Sequence, residues 1–129
     1  MIYVVPDTSK LNHYLGSVVG NGHCVPFVQH VAGCPNTSIW HRGEFVKDNL
    51  DSVQSGTAIA TFHPDTGLYE NDNTGRSHAA IFLSGDDTGL LVMDQWVGHP
   101  VNTRLICFKD GGEPHADDGD HYYVVEVDL

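Results

Sequence analysis

The hydrophobic period of this chain changes once, near Gly56. Upstream, apolar residues recur at three- and four-residue intervals, as on one face of a helix: Leu11, Tyr14 and Leu15, then Val25, Val28, Val31 and Ala32. Downstream, they fall into short runs rich in β-branched residues at 57–62, 77–83, 90–96, 104–108 and 121–127. Ser84-Gly85-Asp86-Asp87-Thr88-Gly89 separates the second and third runs and predicts an antiparallel hairpin. Helices followed by neighbouring strands imply an α+β fold, with N-terminal helices packed on one face of an antiparallel sheet.

Asn21-Gly22 is a turn signal, and Gly33 and Pro35 close the helical stretch that follows it. Pro26 suits a first turn, where its missing N–H would have had no partner in the helix. The helix therefore starts near His23 and carries Cys24 at its N-terminus. Residues 36–55, with Trp40, Phe45, Val46 and Leu50, read as a loop plus a short helix. The Gly- and acid-rich stretch 110–120 reads as an exposed loop, and Asn73-Thr74-Gly75-Arg76 as a turn ahead of the 77–83 strand. A chain of 129 residues has enough surface to bury for one core, so residues 1–129 are expected to form a single domain.

Seventeen acidic against six basic residues give a net charge of -11. That charge repels phosphate backbones and anionic headgroups, which argues against nucleic acid, and its natural complement is a basic or amphipathic protein. No stretch approaches the roughly 20 apolar residues that span a bilayer, so no membrane insertion is expected. Residues 1–7 lack a basic segment leading into an apolar run, so no Sec-type signal is expected. Cys24, Cys34 and Cys107 are too few and too irregular for a disulfide scaffold. Cys34 and Cys107 read as small buried hydrophobes.

Cys24 has a different setting. A helix N-terminus favours the thiolate, and the same N–H groups can face a carbonyl oxygen as it becomes an oxyanion. Such chemistry needs a base near neutral pH, and His78, at the start of a strand, is the best placed of nine histidines. The partner strand offers Asp94 and Gln95 to orient the imidazole, and a slip of one residue in the pairing exchanges one for the other. Asp94 is preferred because its charge would stabilise an imidazolium, with Gln95, or a Cys–His dyad without a third residue, as the alternatives. This chemistry requires no metal or organic cofactor.

Rival readings exist. His115, Asp117, Asp118, Asp120 and His121 could hold a metal, as could the stretch 65–73, although acidic loops and turns use the same residues. Trp40, Tyr69 and Trp96 could line a groove, or simply fill the core. Tyr14, upstream of Cys24, is a further candidate for the site.

Gly20-Asn21-Gly22-His23-Cys24-Val25-Pro26-Phe27-Val28-Gln29, the run Gly56-Thr57-Ala58-Ile59-Ala60-Thr61-Phe62, Ser77-His78-Ala79-Ala80-Ile81-Phe82-Leu83 and Val92-Met93-Asp94-Gln95-Trp96 occur in this order over roughly residues 11–108. Together they resemble the third family of type VI secretion amidase effectors, within the papain-like NlpC/P60 and CHAP group. The resemblance implies a toxin made in the cytoplasm of one Gram-negative bacterium and delivered by the type VI machinery into the periplasm of another. There it would cleave peptidoglycan stem peptides at the D-alanine to meso-diaminopimelate crosslink, with the D-glutamate to diaminopimelate bond as the alternative. It also implies a cognate immunity protein seated in the active-site cleft. Carried over, Cys24 matches the nucleophile, His78 the base, and Asp94 the strand that supplies the third residue.

Overall fold

The computed structural model describes residues 1–70, 77–111 and 115–128. Among these, six strands form one antiparallel sheet: β1 (His41–Phe45), β2 (Ala58–Thr61), β3 (Ala79–Gly85), β4 (Gly89–Trp96), β5 (His99–Cys107) and β6 (Tyr122–Glu126). Their spatial order is β1-β6-β2-β3-β4-β5. One α-helix, α1 (Cys24–Ala32), lies across β3 and β4. No helix among the described residues is long and apolar enough to cross a membrane.

The architecture expected from the change of period is present, but the N-terminal region holds one α-helix rather than several. Residues Thr8–Tyr14 form a 3₁₀ helix, begun by Asp7, whose carboxylate accepts from Ser9 N and Oγ at 3.1 and 2.6 Å. Its single fully sequestered residue is Leu11, and one anchor does not repay a longer helix. The second departure is β1, in a stretch read as a loop plus a short helix. Strand β1 is non-local: His41 faces Glu126 and Arg42 faces Val125. A Cβ on Gly43 would stand 2.7 Å from the Val124 carbonyl oxygen, so glycine, normally poor in strands, is what lets this strand lie against β6.

Both faces of the sheet are covered. On one, Phe27 and Val28 of α1 are fully buried in the core that contains Ala58, Ala60, Ala79, Ile81 and Met93. The alanines leave room for the helix backbone to approach, and each large apolar side chain buried there contributes about 1.5–3 kcal/mol. The buried face of α1 centres on Phe27 and Val28, while Val25, Val31 and Ala32 are only partly covered. On the other face, Val46, Ile59, Phe82, Val92, Ile106 and Tyr122 form a second core. Buried on both sides, β2 reads as a continuous apolar run rather than an alternation.

The β3–β4 hairpin contains a bulge that decides which side chains meet. Near the turn, Gly85 faces Leu90 and Ser84 faces Leu91; beyond Leu83 the register slips, and Phe82 faces Val92 and Ile81 faces Met93. Continued unslipped, the pairing would set Gln95 opposite Ala80; the extra residue sets Asp94 there instead. His78, two residues before Ala80, shares that side.

Candidate active site

Cys24 is the first residue of α1, entered through a tight turn. Gly20 and Gly22 have φ of 58° and 89°, values that side chains other than glycine rarely adopt. At Gly20, a Cβ would also stand 2.9 Å from the ring of Pro26, so the proline packs back on the turn as well as starting the helix. The Asn21 side chain accepts from His23 N at 3.1 Å. Glycine at Gly33, with φ of 75°, ends the helix in a left-handed cap.

Gln95 secures this turn. Its Oε1 accepts from Val19 N at 2.9 Å, and its Nε2 donates to Val19 O at 2.7 Å and to His23 O at 2.8 Å. Gln95 is thus bonded to the helix entry, while Asp94 is the residue bonded to the imidazole. Gln95→Leu is expected to strand these backbone groups at a cost of about 2 kcal/mol, tempered by water access, and to lower the melting temperature measurably. An unchanged thermal melt would show that the strap contributes nothing.

His78 is held on its own backbone by Thr61 of β2: His78 N donates to Thr61 Oγ1 at 3.0 Å, and Thr61 N donates to His78 O at 3.0 Å. Its Nε2 lies 2.7 Å from Asp94 Oδ2, and its ring stands beside the Cys24 thiol on the lining of one cleft, near enough for each group to shift the other's titration. With Nε2 on the carboxylate, Nδ1 is the nitrogen available to the sulfur. Arg104 of β5 donates through Nε to the same Asp94 oxygen at 2.7 Å and through Nη1 to Asp117 at 3.2 Å. His78, Asp94 and Arg104 therefore form one continuous chain of hydrogen bonds, with Cys24 beside its imidazole end.

The electrostatics of the chain favour separated charge. Burial works against the Cys24 thiolate, but the neighbouring imidazole of His78 and its charge, the Ala79 N–H and the Tyr69 hydroxyl together bring the thiol below its ordinary value. Burial likewise opposes the His78 cation; its bond to Asp94 and the neighbouring Cys24 sulfur overcome this and raise it to about 9. Asp94, opposed by burial, is held below the usual carboxylate range by His78 and Arg104. Thiol and imidazole titrate as a coupled pair, and both shifts favour a thiolate beside an imidazolium.

These groups open into a cleft of about 970 Å³, lined among others by Asn21, Gln29, Tyr69, Trp96 and Asp117. The Tyr69 hydroxyl lies 3.8 Å from Cys24 Sγ. Trp96 is 38% exposed at the rim, with His99 against it at 3.9 Å and the Arg104 guanidinium over its ring at 4.9 Å.

Several expectations change. Trp40 is fully buried, so only Tyr69 and Trp96 of the three aromatics reach the cleft. Tyr14 packs edge-on against Phe27 and His30, away from the cleft. Cys34 is buried and its thiol pushed up to about 12, whereas Cys107 is only half-buried. All three cysteines are free thiols.

The acidic stretch is not simply an exposed loop. Asp118 is fully buried and its Oδ1 accepts from Lys109 N and Asp120 N. Asp120 pairs with Lys47 at 2.6 Å and Asp117 with Arg104. These carboxylates bind the protein itself, and no cluster of three or more metal-ligating side chains occurs among the described residues. The turn at 73–76 and part of the 65–73 stretch lie outside the described residues.

Sequence reasoning misses Arg104 altogether and offers Tyr69 only as a groove-lining aromatic, not as a hydroxyl beside the thiol. Arg104 faces Val92 across the β4–β5 ladder, two places along from Asp94, a diagonal relation that alternation could have exposed had β5 been extended back to His99. Tyr69 arrives from a loop, and no periodicity points to it.

A thiol, an imidazole and a carboxylate in series at an open cleft make up a site competent for nucleophilic acyl transfer. The family model described as domesticated amidase effector 2 matches residues 4–125, and the chain belongs to that family. It is 37% identical over 112 residues to domesticated amidase effector 2 of Ixodes scapularis, covering 84% of this chain and 74% of the relative. It is also 37% identical over 121 residues to a type VI secretion amidase effector 2 protein of Salmonella typhi, covering 84% of this chain and 88% of that protein. The solved structure of a type 6 secretion amidase effector 2 superposes with a TM-score of 0.76 at 34% identity, over 87% of this chain and 86% of that one. The expected kinship with type VI secretion amidase effectors is therefore present, but these relatives are numbered two, where the resemblance suggested three.

Proposed function

We propose that this protein is a peptidoglycan amidase that cuts stem-peptide crosslinks between D-alanine and meso-diaminopimelate by cysteine catalysis, with residues 1–129 as one catalytic domain. The observation that supports this most is Cys24 and His78 side by side on one cleft, with Asp94 bonded to the imidazole, in a chain of an amidase effector family. A helix-borne cysteine followed by a strand-borne histidine also supports the papain-like NlpC/P60 grouping.

In the mechanism, the Cys24 thiolate forms a bond to the scissile carbonyl carbon, and the carbonyl π pair moves to oxygen, facing N–H groups at the start of α1. The adduct collapses as the C–N bond breaks, and the departing nitrogen takes the His78 proton. His78, now neutral, removes a proton from water, which attacks the thioester and restores the thiolate beside the imidazolium. Asp94 holds the ring in register and stabilises its cation, and Arg104 keeps Asp94 ionised.

The type VI relatives support delivery by that secretion system; action in a recipient periplasm and a cognate immunity protein covering the cleft belong to the same proposal. The domesticated relative supports a second setting for the same chemistry outside that machinery. Digesting purified peptidoglycan and weighing the muropeptides by mass spectrometry tests the function. Crosslinked dimers should become intact monomers; loss of part of a stem would move the cut to D-glutamate–diaminopimelate, and no product would overturn the reading.

The paired ionisation gives a further prediction. Alkylation of Cys24 by iodoacetamide should remain fast below the ordinary thiol range and, in Asp94→Asn, shift to higher pH as the imidazolium loses its partner. A wild-type profile rising only near an ordinary thiol value would contradict the ion pair.

A further inference from the structure

We propose that the Tyr69 hydroxyl is a catalytic donor to the oxyanion, the side-chain half of a pair whose other half is the backbone N–H at the start of α1. The inference rests on the cysteine mechanism proposed above and adds a reacting group to it.

The geometry begins with the placement of the hydroxyl, 3.8 Å from Cys24 Sγ and on the lining of the cleft. A donor useful to an oxyanion stands about 2.7–3.1 Å from where the oxygen will be, not from the attacking atom. The oxygen lies one bond beyond the attacked carbon, so a donor directly bonded to the resting sulfur at short range would stand too close to the nucleophile. A hydroxyl set back at 3.8 Å, rotating about its C–O bond, can turn from sulfur to the new oxygen as charge moves from one to the other.

The ring is also held. It packs at 5.1 Å on Trp40, which is fully buried, and edge-on at 6.3 Å on Phe62. Trp40 is fixed in turn, its Nε1 donating to Pro35 O at 3.0 Å, and Gln29 of α1 donates to the same carbonyl at 3.2 Å. The platform under Tyr69 is thus tied to the helix that carries the nucleophile, and a donor whose position is set before reaction costs no reorganisation during it.

The remaining donors near the sulfur have other tasks. His78 must deliver its proton to the departing amine, and the Ala79 N–H belongs to the strand that carries His78. In the step proposed, the sulfur lone pair forms the C–S bond and the carbonyl pair settles on oxygen. Tyr69 O–H donates a hydrogen bond to that oxygen and keeps its proton. When the C–N bond breaks, the oxygen returns its pair to carbon and the hydroxyl turns back to the sulfur.

Tyr69→Phe preserves the ring contacts and removes only the hydroxyl. On a soluble crosslinked muropeptide, its kcat should fall about 10²-fold with KM nearly unchanged. A substrate-like peptide aldehyde, which forms a tetrahedral adduct on a thiolate, should inhibit it less well by a similar factor. Alkylation of Cys24 by iodoacetamide, which generates no oxyanion, should proceed at the wild-type rate once pH is high enough to ionise the thiol fully. A kcat within about threefold of wild type overturns the proposal. So does a loss that disappears at high pH, which would make the hydroxyl a device for ionising the thiol alone. Cys24→Ala run alongside separates the two levels: undiminished cleavage by that variant removes the cysteine mechanism itself, and the role of Tyr69 with it.

Discussion

Cys24→Ala is expected to lower peptide release from peptidoglycan by more than about 10⁴-fold, because losing the nucleophile leaves only binding and any donors in the cleft. The substitution removes one half-buried sulfur at the first position of α1, where alanine is an excellent helix former. The stability change should stay near 1 kcal/mol, a shift of only a few degrees in the thermal midpoint. Loss of activity with a retained cooperative melt is the expected pair of results. Cleavage at the wild-type rate would sink the assignment, and an unfolded variant would say that Cys24 is structural.

Asp94→Asn should be nearly as damaging, and for two separable reasons. An amide cannot stabilise the imidazolium, and the loss in kcat for such a change in a hydrolytic triad is about 10⁴-fold. The second reason is stability. Asp94 is buried and accepts from both His78 and Arg104 on one oxygen, so neutralising it leaves a guanidinium that is mostly out of water with only the half-exposed Asp117 as its ion pair, at about 3 kcal/mol. Both should appear together, as lost turnover and a lowered melting temperature.

The pH dependence of stability carries the same signature. The folded His78 value is raised, to about 9, so its contribution is fully present below its unfolded value near about 6.5 and is lost as pH rises towards 9. The folded Asp94 value is lowered, so its contribution is present above about 3.9 and is lost as pH falls through the folded value. In Asp94→Asn the acid-side loss from this residue should vanish and the alkaline loss should flatten. A variant whose pH profile of stability overlays wild type would mean that the buried pair does not govern it.

Much of the site was legible in the chain because its parts follow local rules. A helix start needs a turn with glycine, a proline is tolerated in the first turn, and Cys24 stands where these signals meet. The strand of His78 and the hairpin that returns through Asp94 follow from β-branched runs around a Gly/Asp turn. What was not legible depends on distant partners. Strand β1 looks like a loop because its glycine is explained only by a β6 backbone some 80 residues away, and Arg104 and Tyr69 join the site through tertiary contact alone.

The choice between Asp94 and Gln95 shows where the division falls. Local periodicity alone determined that a helix-terminal thiol, a strand-borne imidazole and one of two adjacent polar residues belong to an α+β frame, since each obeys the steric preferences of its own segment. Which of the two faces His78 rests on one extra residue at Leu83, and a bulge is chosen by how both cores pack at once, with Phe82 and Val92 on one side and Ile81 and Met93 on the other. Alternation on a strand has period two, so that one residue reverses every side chain beyond it, turning the carboxylate to the imidazole and the amide to the helix entry.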